Sequence, residues 1–166
     1  EKVFNNKNKI PIKIIYISEV TNYKNQYEII KELKNSNINF VIFFVGKIDK
    51  KYFNILNKLN FPCKKFKFIG NLTSNETVDL LKQSDIFLHA SSVENFPVSI
   101  LEGLVSEKYI ISTETEPVKS MLEDHAIFFS LKNQGELELK INEAIKSNMK
   151  KKKSDYLLNN FNYEYI

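Results

Sequence analysis

The stretch SSVENFPVSILEG, Ser91 to Gly103, carries two carboxylates eight positions apart, Glu94 and Glu102, with Pro97 between them. Proline suits the first position of a helix, so a helix is expected to start near Phe96 and Pro97. The backbone N–H groups at such an end have no partner within the helix. Together with the helix dipole they favour an anion, above all a phosphate. Glu94 comes just before that end and can reach whatever hangs from the phosphate. Glu102 lies roughly 7 Å further along the helix, at ~1.5 Å per residue. An ionised carboxylate only accepts hydrogen bonds, which suits it to grip two neighbouring hydroxyls such as a ribose diol. Phosphate in the middle, a sugar on one side and a ribose on the other is the layout of a nucleotide sugar. Lys24, at the start of an earlier helix, can supply a positive point charge to the diphosphate. Taken singly each feature is ordinary: Lys24 is one of 24 lysines, and a proline at a helix start is common capping. Their joint placement carries the reading. His89 ends the apolar run DIFLH, two residues before Ser91. It can hydrogen-bond the donor phosphate or sugar, or be satisfied by nearby backbone, and both readings stand at this point.

Positioning these groups requires strands and helices in alternation. The apolar runs are KIIYI (Lys13 to Ile17), FVIFFV (Phe40 to Val45), FKFIG (Phe66 to Gly70), DIFLH (Asp85 to His89), YIIS (Tyr109 to Ser112) and IFFS (Ile127 to Ser130). Most are too short for helices and rich in β-branched or aromatic residues, the mark of parallel strands buried on both faces. Between them lie helical stripes: Tyr23, Tyr27 and Ile30; Phe53, Leu56 and Leu59; Val98, Leu101 and Val105; Leu137, Ile141 and Ile145. Thr73 followed by Glu76 forms a capping box that starts a further helix through Leu80 and Leu81. The fold class expected is α/β, an open parallel sheet with helices on both faces and right-handed crossovers. In such sheets ligands bind beyond the carboxyl ends of the strands. The loops after the first, third and fourth strands, SEVTNYKN, GNLTS and ASSVENFPV, are therefore expected to share one edge.

Composition narrows the partners. The chain has 166 residues, 43% of them hydrophobic and a net charge of +4, enough for one domain with a real core. None of the 24 basic residues is arginine. The bidentate fork used to read guanine is therefore missing, which argues against nucleic acid as a partner. One cysteine, Cys63, cannot form an internal disulfide, and no Cys/His cluster has zinc spacing. The longest apolar run, FVIFFV, is far short of the ~20 residues of a membrane span. Residues 1–9 are polar and read as a linker, with the domain running over 10–166. The run KKKK at Lys150 to Lys153 reads as a solvated helix end, with contact to an anionic membrane surface as the alternative. His125 sits in a polar turn and is given no role.

From about Ile12 to about Ser130 the chain resembles the C-terminal, donor-binding half of the group 1 (family four) glycosyltransferases of GT-B architecture. The pieces stand in order: a strand, a turn and KN at Lys24 and Asn25; a strand ending FIGNL; then LLKQSDIFLHASSVENFPVSILEG, which looks like the family stretch aDifv-P-S-x-x-E-G-f-P-x-x-x-x-E-A. The resemblance implies that Glu94 lies beside the donor sugar and orients it. It implies that the amides of Asn95, Phe96, Pro97, Val98 and Ser99 surround the diphosphate or sugar, proline contributing no N–H. Glu102 would bind the ribose, Lys24 would contact the diphosphate, and Gly70 and Asn71 would lie near the base. Ser18 and Glu19 stand where the family often has Gly-Arg, and Asn95 and Ala90 replace a usual Gly and Pro. Tyr109, and Glu107 before it, stand where Pro and Gly are common.

The resemblance further implies a retaining transfer of a hexosyl group from a nucleotide diphosphate sugar to a lipid-linked or polysaccharide acceptor, without a metal or other cofactor. The expected location is cytoplasmic or peripheral at the inner membrane face. The expected partners are the nucleotide diphosphate sugar and an N-terminal acceptor domain, for which 166 residues leave no room. This chain is thus expected to be the donor-binding half, inactive alone. The alternatives are a degenerate module that binds nucleotide or a partner without catalysis, and a GT-B-related nucleotide-sugar epimerase.

Overall fold

The apolar runs become six parallel strands: β1 (Ile12–Ile17), β2 (Phe40–Val45), β3 (Phe66–Gly70), β4 (Ile86–His89), β5 (Tyr109–Thr113) and β6 (Ala126–Phe129). The computed structural model describes residues 10–93, 98–106 and 108–147. The strands form one sheet in the order β3-β2-β1-β4-β5-β6. Among the described residues, five α-helices cross between them, α1 (Gln26–Leu33), α2 (Lys50–Asn57), α3 (Ser74–Gln83), α4 (Val98–Val105) and α5 (Val118–Leu122), and a sixth, α6 (Glu136–Lys146), follows β6. None of these helices is long and apolar enough to cross a membrane.

Alternation along the strands builds two cores. Ile14 and Tyr16 of β1, Ile42 and Phe44 of β2 and Leu88 of β4 pack on one face with Ile30, Leu56 and Leu137. Ile15, Phe87 and Ile110 point the other way, against Leu81, Ile100, Leu104 and Met121. The central strands are therefore covered on both faces, as their near-continuous apolar runs require, but β3 departs from that expectation: it is an edge strand, and Lys67 and Ile69 on one of its sides are exposed. All six strands run the same way, so their carboxyl ends line one edge. The order reverses between β1 and β4, which makes that gap the switch point where doubly wound sheets bind ligands.

Three sequence expectations shift. Tyr23 lies in a 3-10 turn, Asn22–Lys24, and not on α1, because Asn25 takes a left-handed conformation (φ 58°) that interrupts the helix before Gln26. Leu59 lies past the end of α2, which stops at Asn57. The stripe Val98, Leu101 and Val105 is not the buried face of α4. Val98 is 62% exposed and Val105 39%, while Ile100 and Leu104 are buried, as is Gly103 beside them. Gly103 decides the helix's rotation: a Cβ there would stand 2.8 Å from the Phe87 ring, so that side lies closest to the sheet.

The capping box at the start of α3 forms as expected. The Thr73 hydroxyl accepts from the Glu76 N–H at 3.4 Å, and the Glu76 carboxylate accepts from the Thr73 N–H at 2.8 Å. These bonds from Thr73 hold the Glu76 carboxyl below its ordinary pKa. Its contribution to stability is therefore present above pH 4.5 and lost as pH falls through the lowered value. Thr73→Ala should cost about 1 kcal/mol, seen in thermal unfolding as a fall of roughly 2–4 °C.

Candidate functional site

The site is built from the loops after β1 and β4. Ser18 begins the first loop, its N–H bonded to the Val45 carbonyl at 2.8 Å. Lys24 sits at the end of the 3-10 turn, and its carbonyl accepts from the hydroxyl of Tyr16 at 2.8 Å. Tyr16 is wholly buried, so a core residue pins the turn that carries the cation. The Lys24 ammonium stands 5.0 Å from the Tyr23 ring centroid, within cation–π range.

Gln26, fully buried at the first position of α1, donates from Nε2 to the Ser18 hydroxyl at 3.2 Å and to the Glu19 carbonyl at 2.9 Å. The Ser18 hydroxyl donates onward to the Glu19 carbonyl at 3.1 Å. Ser18 and the Glu19 backbone thus form the wall of the loop, and the Glu19 side chain lies exposed.

The second loop is held from both sides. Thr113, at the end of β5, donates to the Ser91 carbonyl at 2.9 Å. From the β1 side, Asn25 Nδ2 donates to the Ala90 carbonyl at 2.6 Å and to the Ser92 hydroxyl at 2.7 Å. The Ser92 N–H donates to the Tyr23 carbonyl at 3.0 Å. A cleft of about 360 Å³ opens beside this loop, lined among others by Ser91, Ser92, Thr113 and Thr115.

His89 closes β4 with 1% of its surface exposed. Its Nδ1 lies 3.2 Å from the Ser112 hydroxyl, and its ring meets Tyr16 edge-on at 6.5 Å. Gly70 ends β3 and Asn71 follows it at the sheet's outer edge, three strand spacings from β4, or about 14 Å at ~4.8 Å per spacing. Val98 is exposed and Ser99 half-buried in the first turn of α4. Glu102 lies at the surface of the same helix, where the protein around its carboxyl removes enough water to push its pKa up. Glu94, Asn95, Phe96 and Pro97 lie outside the described residues, as do residues 1–9, Glu107 and the KKKK run.

The structure thus brings Lys24 and the loop leading to Glu94 together across the switch point, with Val98, Ser99 and Glu102 following on α4. Sequence reasoning missed Gln26 and Thr113, and named Asn25 only as part of the KN pair. Their one signal was an amide or hydroxyl at a strand end or helix start, where a polar side chain commonly faces solvent.

An open sheet in this order, with a cation-bearing turn tied to the β4 loop at the reversal, defines a doubly wound, Rossmann-like domain. The model of the family "Glycosyl transferases group 1" matches residues 1–160, and the chain belongs to that family. It is 34% identical over 107 residues to the capsular polysaccharide biosynthesis glycosyltransferase CapH of Staphylococcus aureus, covering 60% of this chain and 29% of that protein. Among solved structures, the C-terminal domain of a group 1 family glycosyl transferase (LpcC) of Francisella tularensis superposes with a TM-score of 0.75 at 20% identity. That match covers 93% of this chain and 89% of the other. Alr3699/HepE of Anabaena, solved in complex with UDP and glucose, gives 0.73 at 18% identity, over 84% of this chain and 40% of that one. The chain therefore spans less than a third of the curated relative and two fifths of the Anabaena protein. These likenesses bear out the fold class and the family that the sequence suggested.

Proposed function

We propose that this chain is the donor-binding half of a retaining glycosyltransferase, which moves a hexosyl group from a nucleoside diphosphate to a hydroxyl on a lipid-linked or polysaccharide acceptor. The observation that carries this reading is the tie across the switch point. It sets Lys24 beside the loop that runs into Glu94 and the start of α4. As the sugar–phosphate bond breaks, negative charge builds on the leaving diphosphate. Lys24 and the N–H groups in the first turn of α4 would stabilise it, the electrostatic contribution that commonly dominates catalysis. Glu94 would orient the sugar and Glu102 the ribose, without a metal ion. The acceptor would come from a separate N-terminal domain, at the cytoplasmic face of a membrane. The Anabaena structure makes uridine diphosphate the first nucleotide to try.

Calorimetric titration with uridine and guanosine diphosphates and their sugars tests the reading. Glu102→Ala should weaken binding of the bare nucleotide by about 10- to 100-fold, the loss of hydrogen bonds to a charged group worth about 1.5–3 kcal/mol. Affinity should also fall on acidification, starting at a higher pH than an ordinary glutamate would give, because desolvation raises the Glu102 pKa. The unliganded fold responds in the opposite sense. A raised folded-state pKa adds stability below pH 4.5 that is lost as pH rises through the raised value. Glu102→Gln should therefore lose affinity at neutral pH with no loss of melting temperature. Unchanged affinity of both variants for the bare nucleotide would remove Glu102 from the site.

A further inference from the structure

We infer that Asn25 is a positioning residue, a clamp that makes the Lys24 turn and the β4 loop move as one unit; the inference rests on the donor-binding reading above. Asn25 occupies the cap position of α1, where an asparagine side chain commonly accepts from the helix's own first N–H groups. Here it makes no such bond. Its Nδ2 instead crosses to the Ala90 carbonyl at 2.6 Å and the Ser92 hydroxyl at 2.7 Å, residues 65 and 67 positions away. A carbonyl can only accept, so this contact fixes which end of the amide faces β4. The two amide protons are matched by the two short contacts, and the Tyr23 carbonyl, at 3.4 Å, is a distant third.

The backbone explains why asparagine stands here. At φ 58° the residue is in the left-handed region, which glycine and asparagine enter most readily. Asparagine meets the conformational demand and also carries a donor long enough to span from the start of α1 to the residues just after β4. The backbone bond from Ser92 N–H to the Tyr23 carbonyl, at 3.0 Å, closes the same bridge on the other side of Lys24. Lys24 therefore lies between two residues that are both bonded to the β4 loop. A phosphate drawn to Lys24 meets the residues leading to Glu94 in a fixed relation, with less ordering left to do on binding.

Two substitutions separate this role from a purely conformational one. Asn25→Gly adopts the same backbone freely but donates nothing. Asn25→Asp keeps the size but sets a carboxylate against the Ala90 carbonyl. If Asn25 serves only its backbone angle, the glycine variant should match the parent throughout. If it clamps, both variants should show faster amide exchange at Ser92, by about tenfold or more for a lost hydrogen bond. Both should also bind uridine diphosphate about tenfold more weakly, with the melting temperature of the glycine variant within about 3 °C of the parent. Parental exchange at Ser92 and parental affinity in both variants would overturn the clamp. Should the parent itself bind neither uridine nor guanosine diphosphate, the donor-binding reading falls. Exchange at Ser92 then decides the clamp alone, faster exchange supporting it and unchanged exchange overturning it.

Discussion

Gly46→Ala is expected to lower the melting temperature of this chain by about 10 °C or more, from a loss of roughly 3–5 kcal/mol. Gly46 follows β2 at φ 141°, a backbone region essentially closed to other residues. A Cβ there would stand 2.3 Å from the Ser18 carbonyl oxygen and 2.7 Å from its carbon. Both are backbone atoms and cannot rotate away. Ser18 is held to Val45 through its N–H and to Gln26 through its hydroxyl, and the Gly46 N–H is itself bonded to the Gly70 carbonyl at 2.9 Å. The added methyl must therefore push apart the ends of β1 and β2, and with them the loop that carries Lys24. Nucleotide affinity should drop in the same variant. Gly70 is the control: it too has a positive φ, 80°, but a Cβ there meets nothing within 4 Å. Gly70→Ala should cost only the backbone term, about 1 kcal/mol. Equal melting temperatures for the two variants would show that the close approach to Ser18 does not matter.

The largest effect on function is expected from Glu94→Gln. Glu94 follows Val93 directly in the chain, and Ser92, one residue earlier, is bonded to both Tyr23 and Asn25. On the proposed reading it acts on the sugar rather than on the nucleotide. Replacing the carboxylate by an isosteric amide keeps the volume and removes the charge that this reading sets against a developing oxocarbenium ion. In the full-length enzyme turnover should fall by about 100-fold or more, or ~2.7 kcal/mol at 1.36 kcal/mol per factor of ten. Affinity for the bare nucleoside diphosphate should stay within about threefold. The contrast with Glu102→Ala, which should weaken that affinity, separates the two carboxylates by experiment. Turnover equal to the parent's would exclude Glu94 from the chemistry.

Much of the architecture was legible because its causes are local. FVIFFV and FKFIG became β2 and β3 with the bounds that their apolar runs suggested. For β2 the reason is that buried parallel strands need continuous apolar sequence, and few other elements tolerate it at that length; β3 lies at the sheet edge, where Lys67 and Ile69 are exposed and the aromatic Phe66 and Phe68 face the core. The Thr73–Glu76 box was equally readable, since both partners lie within one turn. The order of elements then led to a doubly wound sheet, and the Glu94–Glu102 spacing to the family, which the match over residues 1–160 shows.

Other features were settled only by contacts between distant parts of the chain. On α4 periodicity pointed to the stripe Val98–Leu101–Val105, but the buried pair is Ile100 and Leu104, which is apolar at the same helical spacing. The approach of Gly103 to Phe87 turned Ile100 and Leu104 inward. Gln26 read as an ordinary polar residue at a helix start, yet it is wholly buried with its amide on the Ser18–Glu19 loop. Asn25 read as a neighbour of Lys24, yet its amide spans to the end of β4. By itself the sequence determined which segments are strands, where α3 begins and which family the chain belongs to. The tertiary structure alone decided the strand order, the rotation of α4 and the residues that hold the site's two loops together. A side-chain amide can bond any carbonyl within reach, and only the packed sheet determines which one that is.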